Sequence, residues 1–122
     1  MNLTTLRVAA PRMITIKNSA ALRNHLLDRL EEGARDFVIG LENTTYVDSS
    51  GLALFADLQR VLVREMGMRL RLSGARPEIR LLLEATRLAA VLELVDTADV
   101  ETTDSYDWVA PEDWTARPMV GA

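Results

Sequence analysis

The sequence predicts one α/β domain: a mixed sheet of four to five strands with helices packed on one face. Three observations predict it. The chain has 122 residues, 48% apolar and 26% charged, an ordinary balance for a single globular domain with a real core. Short strand-like runs alternate with stretches whose apolar residues recur at helical spacing. The order of these signals, ββαβαβαβ, puts helices between strands and so implies parallel neighbours, while two adjacent strands at the start make the sheet mixed.

Thr5–Ala9 alternates polar and apolar residues as a half-buried strand does. Ala10-Pro11 breaks the run and Arg12–Ile16 repeats it, so the two read as a hairpin. Asn18 or Ser19 offers a helix N-cap, and Leu22, Leu26, Leu27 and Leu30 follow at helical spacing. Gly33 sits where a C-terminal cap belongs, which predicts a helix over Ala20–Glu32. Asp36–Leu41 reads as a buried strand and Tyr46-Val47 as a brief one. A second helix is expected over Gly51–Met66, with Leu54 or Phe55, Leu58, Val61 and Leu62 inward and Gly67 as its stop. Arg69–Leu72 alternates as a strand, and Ser73-Gly74 turns the chain. Pro77 suits the first turn of a third helix, whose inner face is Ile79, Leu82, Leu83 and Thr86. Val91–Val95 closes the pattern, so 1–102 is read as the domain and 103–122 as an acidic tail, loosely ordered or draped on the body.

The formal charge of −4 hides a split. Residues 1–92 carry thirteen Lys and Arg against ten Asp and Glu, and 93–122 one Arg against eight acids. Seven arginines crowd residues 60–87, but three glutamates dilute them and no aromatic accompanies them. That composition suits a solvated face better than a nucleic-acid reader. The absence of cysteine excludes a thiol nucleophile and a Cys-ligated metal. His25 lies between apolar helix positions with no patterned nucleophile near it, and no phosphate-cradling glycine motif occurs. Glu31 and Glu32 are adjacent and point apart on a helix. The expectation is a non-enzyme with no cofactor and no metal. The longest apolar runs are far below the ~18 residues of a membrane span, and no signal peptide is visible, so a cytoplasmic location is expected.

One local feature carries a mechanism. Asp48-Ser49-Ser50-Gly51 falls between a strand end and a helix start, where backbone N–H groups lack partners and the helix dipole is positive. An Asp or Ser there caps the helix; an exposed serine there also suits phosphorylation, which adds about −1.5 to −2 charges. Tyr46-Val47-Asp48-Ser49-Ser50-Gly51-Leu52, the later Gly67–Leu72 run and the Pro77–Leu94 helix-then-strand pattern together resemble the STAS domain. They resemble most the anti-sigma factor antagonists of bacteria, over roughly Thr4 to Asp99.

The resemblance implies the STAS fold and a phosphorylated serine at Ser50. It implies two partners, an anti-sigma factor that is also a serine kinase and a metal-dependent serine phosphatase. The unphosphorylated antagonist binds the kinase, frees the sigma factor and so regulates transcription. Asp48, Ser49, Ser50, Gly51, Leu52 and Thr15 are the partner-binding residues it implies. Thr15 stands where family antagonists usually carry an aspartate, a replacement found in STAS subunits of transport complexes and stress-sensing scaffolds that have no phosphorylation cycle.

Overall fold

A computed structural model describes residues 4–31, 33–100 and the backbone of 105–109. Its elements run β1 (Thr4–Ala9), β2 (Met13–Ile14), α1 (Ser19–Glu31), β3 (Ala34–Gly40), β4 (Tyr46–Val47), α2 (Ser49–Leu58), β5 (Arg69–Ser73), α3 (Pro77–Ala85), β6 (Glu93–Val95) and β7 (Ser105–Val109). α2 continues directly into a π-helical segment, Gln59–Glu65, and the chain turns at Gly67 with φ of 70°. A left-handed residue there favours glycine, as expected of a helix stop.

The main sheet has the order β6-β5-β3-β1-β7, and every pairing in it is parallel. Register decides which residues share a face. Leu6, Phe37 and Leu70 are level with one another, as are Val8, Ile39 and Leu72. These six are buried in one cluster with Leu22 and Leu26 of α1, Leu54, Phe55 and Leu58 of α2, Leu62 beyond it, and Ile79 and Leu83 of α3. Each such side chain contributes about 1.5–3 kcal/mol on burial, so this seam is the main source of stability. The alternate residues, Arg7, Val38 and Arg71, form the next row on the other face. There Arg71, only 3% exposed, donates to Asp36 at 2.9 Å, and Arg69 pairs with Glu93 at 2.7 Å. The hydrogen bond from Arg69 holds the Glu93 carboxyl below the usual carboxylate range.

Three expectations change. The β1–β2 hairpin does not form: β2 pairs with β4 in a separate two-stranded parallel ladder, so no antiparallel pair makes the sheet mixed among the described residues. Ala10-Pro11 supplies neither of the left-handed residues that a tight hairpin turn needs. Instead the Ala10 N–H donates to the Gly40 carbonyl, and the chain carries on past the sheet end. The stretch read as a tail contributes β7, paired to β1 from Thr5↔Ser105 to Ala9↔Val109. Its sequence alternates polar residues with Tyr106 and Trp108, residues that favour strands. Residues 110–122 lie outside the described residues. Thr86 is exposed rather than inward, and its hydroxyl donates to the Leu82 carbonyl at 2.8 Å, back-bonding that ends α3.

Candidate functional site

The β2–β4 ladder stands at the C-terminal end of β1 and β3, and long-range polar contacts hold it there. The buried Thr44 hydroxyl donates to the Pro11 carbonyl at 2.8 Å, and the Thr45 N–H to the Arg12 carbonyl at 2.8 Å. The Asp48 N–H then donates to the Ile14 carbonyl at 3.1 Å. Asp48 is therefore fixed by β2 before α2 begins.

Its carboxylate does two jobs. One oxygen accepts from the N–H groups of Ser50 at 2.8 Å and Gly51 at 3.0 Å, which caps α2. The other accepts from the Ile16 N–H at 3.1 Å, which ties in the loop between β2 and α1. Asn18 shapes that loop from within: its side-chain oxygen accepts from the Thr15 N–H at 2.9 Å and its amide donates to the Met13 carbonyl at 2.8 Å. Asn18 or Ser19 was expected to cap α1 forward; the Asn18 side chain binds backward instead. Thr15 is half-buried, and its hydroxyl accepts from the Lys17 N–H at 3.2 Å.

Gly51 is required by close approach rather than by backbone angle. A Cβ there would stand 2.6 Å from a Val47 methyl carbon and 2.9 Å from the Ile14 carbonyl oxygen. Gly51→Ala should therefore destabilise the fold by about 1–2 kcal/mol, since overpacking costs ~1–3 and the helix-propensity gain in a first turn offsets at most ~1. Thermal or urea unfolding checks this, and a stabilised variant would contradict it.

Ser49 is exposed and Ser50 half-exposed, and among the described residues the Ser50 hydroxyl enters no side-chain hydrogen bond. Leu52 is half-buried and packs against the core, so it holds the site from beneath. The ladder and loop beside the serines expose large apolar side chains among polar ones: Met13 and Tyr46, level in the β2–β4 ladder, are 45% and 51% exposed and Ile16 is 72% exposed, next to exposed Arg12, Lys17 and Thr45. The structure thus brings Asp48, Ser49, Ser50 and Gly51 together with the loop that carries Thr15. It adds Thr44, Met13 and Ile16, which the sequence did not single out, and gives Asn18 and Tyr46 places at the site that it did not foresee. Two-residue strands are too short to show a period, and the Thr44 hydroxyl acts on backbone thirty-three residues away.

About two helical turns beyond Ser50, Asp57 accepts from Arg23 of α1 at 2.7 Å and from Arg60 at 2.5 Å. The hydrogen bond from Arg23, then that from Arg60, holds its carboxyl below the usual range against partial desolvation. No group of three or more potential metal ligands occurs among the described residues, and no described helix is long and apolar enough to cross a membrane.

The STAS domain family model matches residues 2–101. The chain belongs to the STAS domain family. Two similar curated relatives are the anti-sigma-B factor antagonists of Staphylococcus aureus strains NCTC 8325 / PS 47 and COL, each 28% identical over 109 residues and covering 83% of this chain and 100% of the relative. These similar relatives within the STAS family are anti-sigma factor antagonists. The crystal structure of a "putative anti-sigma factor antagonist" from Thermotoga maritima shares the fold, with a TM-score of 0.65, 19% identity, and 71% of this chain and 75% of that chain covered.

Proposed function

We propose that this STAS protein is a phosphorylation-switched anti-sigma factor antagonist. Unphosphorylated, it binds an anti-sigma factor that is also a serine kinase; that kinase modifies Ser50, and a serine phosphatase resets it. It does no chemistry of its own and works in the cytoplasm, with no cofactor. The observation that carries this reading is the division of labour at the α2 N-terminus. Asp48 alone satisfies the N–H groups of Ser50 and Gly51, which leaves the Ser50 hydroxyl without a structural task. The apolar residues Met13, Ile16 and Tyr46 beside it suit a protein partner rather than a small polar substrate. A phosphate on Ser50 would put a dianion beside that surface and next to the Asp48 carboxylate.

The test is incubation with a cognate anti-sigma kinase and ATP, followed by mass spectrometry. One added phosphate is expected on the wild type and on Ser49→Ala, and none on Ser50→Ala. An unmodified wild type, or a phosphate that survives Ser50→Ala, contradicts the proposal. The half-buried Thr15, in place of an aspartate, favours a second reading: a STAS subunit of a transport complex or stress-sensing scaffold with no phosphorylation cycle. Recovery of transport components and no kinase in a pull-down would favour it.

A further inference from the structure

The exposed apolar residues at the candidate site have a cation among them that the fold does not use. Lys17 is the chain's one lysine. Arg23, Arg60, Arg69, Arg71 and Arg76 each form an ion pair. Lys17 is exposed and forms none among the described residues. Its ammonium is a point charge on a flexible four-carbon stem, able to follow a partner, where a paired guanidinium is held in place.

The backbone beneath that charge is fixed. The Lys17 N–H donates to the Thr15 hydroxyl at 3.2 Å, the Asn18 N–H to the Thr15 carbonyl at 3.0 Å, and the Ile16 N–H to Asp48 at 3.1 Å. The Ile16 and Ser50 N–H groups bind the two oxygens of that one carboxylate, so a single carboxylate separates the loop from the serine's backbone. The loop therefore presents Lys17 and Ile16, which is 72% exposed, side by side near Ser50 on a backbone ordered before any partner arrives. Contacts ordered in advance lose little conformational freedom on association.

No unengaged acid balances this surface among the described residues. Residues 10–22 and 43–56 build the ladder, the loop and the starts of α1 and α2. They hold Arg12 and Lys17 but one acid, Asp48, which is spent on backbone N–H groups. The acids that flank the second stretch are engaged as well. Glu42 accepts from Ser73 at 3.2 Å and from Thr97, and Asp57 from Arg23 and Arg60.

We infer that Lys17 meets a carboxylate of the partner, whose surface is then an apolar patch for Ile16, Met13 and Tyr46 with an acidic rim. This rests on the reading of the site as the face that an anti-sigma kinase binds. An apolar centre with a polar rim is the usual build of a protein interface, and a small anion would leave Ile16 bare. Complementary charges at a rim act chiefly on the rate of association. The same acid on the partner opposes a dianion on Ser50.

The test is binding to the cognate anti-sigma kinase, measured by surface plasmon resonance at low and at high salt. At low salt Lys17→Glu should weaken binding about tenfold and Lys17→Gln about three- to fivefold, mainly through slower association, while Lys17→Arg stays within about twofold. The loss in Lys17→Glu should shrink at high salt. Arg64→Gln removes an exposed cation from the far part of the π-helical segment and should change nothing. Circular dichroism and urea unfolding should match the wild type, because the Lys17 side chain holds nothing in the fold. Lys17→Glu that binds as tightly as the wild type at low salt, or more tightly, overturns the inference; if Ser50→Asp still weakens binding, the functional reading stands without it. A loss shared by Arg64→Gln reports net charge alone, and one shared by Lys17→Arg reports shape alone; either overturns it. If no anti-sigma kinase binds the wild type, the functional reading falls and this inference falls with it.

Discussion

Asp48→Ala is expected to lower the free energy of unfolding by about 2–3 kcal/mol, more than the Gly51 substitution. Removing an N-cap acceptor costs ~1–2 kcal/mol, and here one carboxylate oxygen serves two N–H groups. The tie to the Ile16 N–H adds to this, at the low end of the ~1.5–3 kcal/mol of hydrogen bonds to charged groups because it is exposed. Asp48→Asn separates the two contributions. Its carboxamide oxygen can keep the cap, but its NH2 would then meet the Ile16 N–H, donor against donor. About half the loss should remain. Urea unfolding checks both variants, with a shifted midpoint and an unchanged slope. The assignment of two jobs to one carboxylate fails if Asn costs as much as Ala, or if Ala costs under ~0.5 kcal/mol, the level of an ordinary surface change.

What the sequence could show about this site follows from the range over which each signal acts. Capping is local, so Asp48-Ser49-Ser50-Gly51 could be placed at a helix start from four residues. The helices were legible because Leu22 and Leu26, or Leu54, Phe55, Leu58 and Leu62, repeat on one face within a single window. Strand partners are not local. Ala10-Pro11 looked like a turn between paired strands, yet the Thr44 hydroxyl and the Thr45 N–H, more than thirty residues away, decide that β2 lies beside β4. β7 was hidden for a similar reason. Its alternation is present in Ser105–Val109, but acids crowd the flanks, and only an open edge on β1 gives it a place to pair. Asn18 or Ser19 was read as a cap for the helix ahead; the partners of the Asn18 side chain, Met13 and Thr15, are close in sequence, but residue type alone does not show that it turns back to them. Gly51 shows the limit from the other side. The residue type was noted as part of a motif, but the reason for it, the approach of Val47 and Ile14, exists only in three dimensions.

The second large effect is on binding. If the proposed function holds, phosphorylation of Ser50 should weaken a complex with an anti-sigma factor about a hundredfold, equivalent to ~2.7 kcal/mol. A dianion must be desolvated at an interface fitted to a neutral hydroxyl, and it meets the Asp48 carboxylate already held at the same helix end. Ser50→Asp carries one charge on a shorter side chain, so a loss of only about tenfold, ~1.4 kcal/mol, is expected. Ser50→Ala should bind within a few-fold of wild type, because the hydroxyl has no side-chain hydrogen bond to lose among the described residues. Neither change should unfold the domain: an acid in the first helical turn gains ~0.3–1 kcal/mol from the dipole, which offsets repulsion from Asp48. Titration calorimetry or surface plasmon resonance reads the affinities. A repeat at high salt separates charge from shape, since a screened repulsion shrinks and a steric clash does not. Ser49→Asp is the decisive control. Ser49 is the more exposed serine and begins the outer face of α2, so a switch at that position would be the easier one for a kinase to reach. If Ser49→Asp weakens binding more than Ser50→Asp does, the switch belongs to Ser49 and the assignment to Ser50 is wrong. If Ser50→Asp alone weakens it, the half-exposed serine beside the Asp48 cap is the residue that the partner reads.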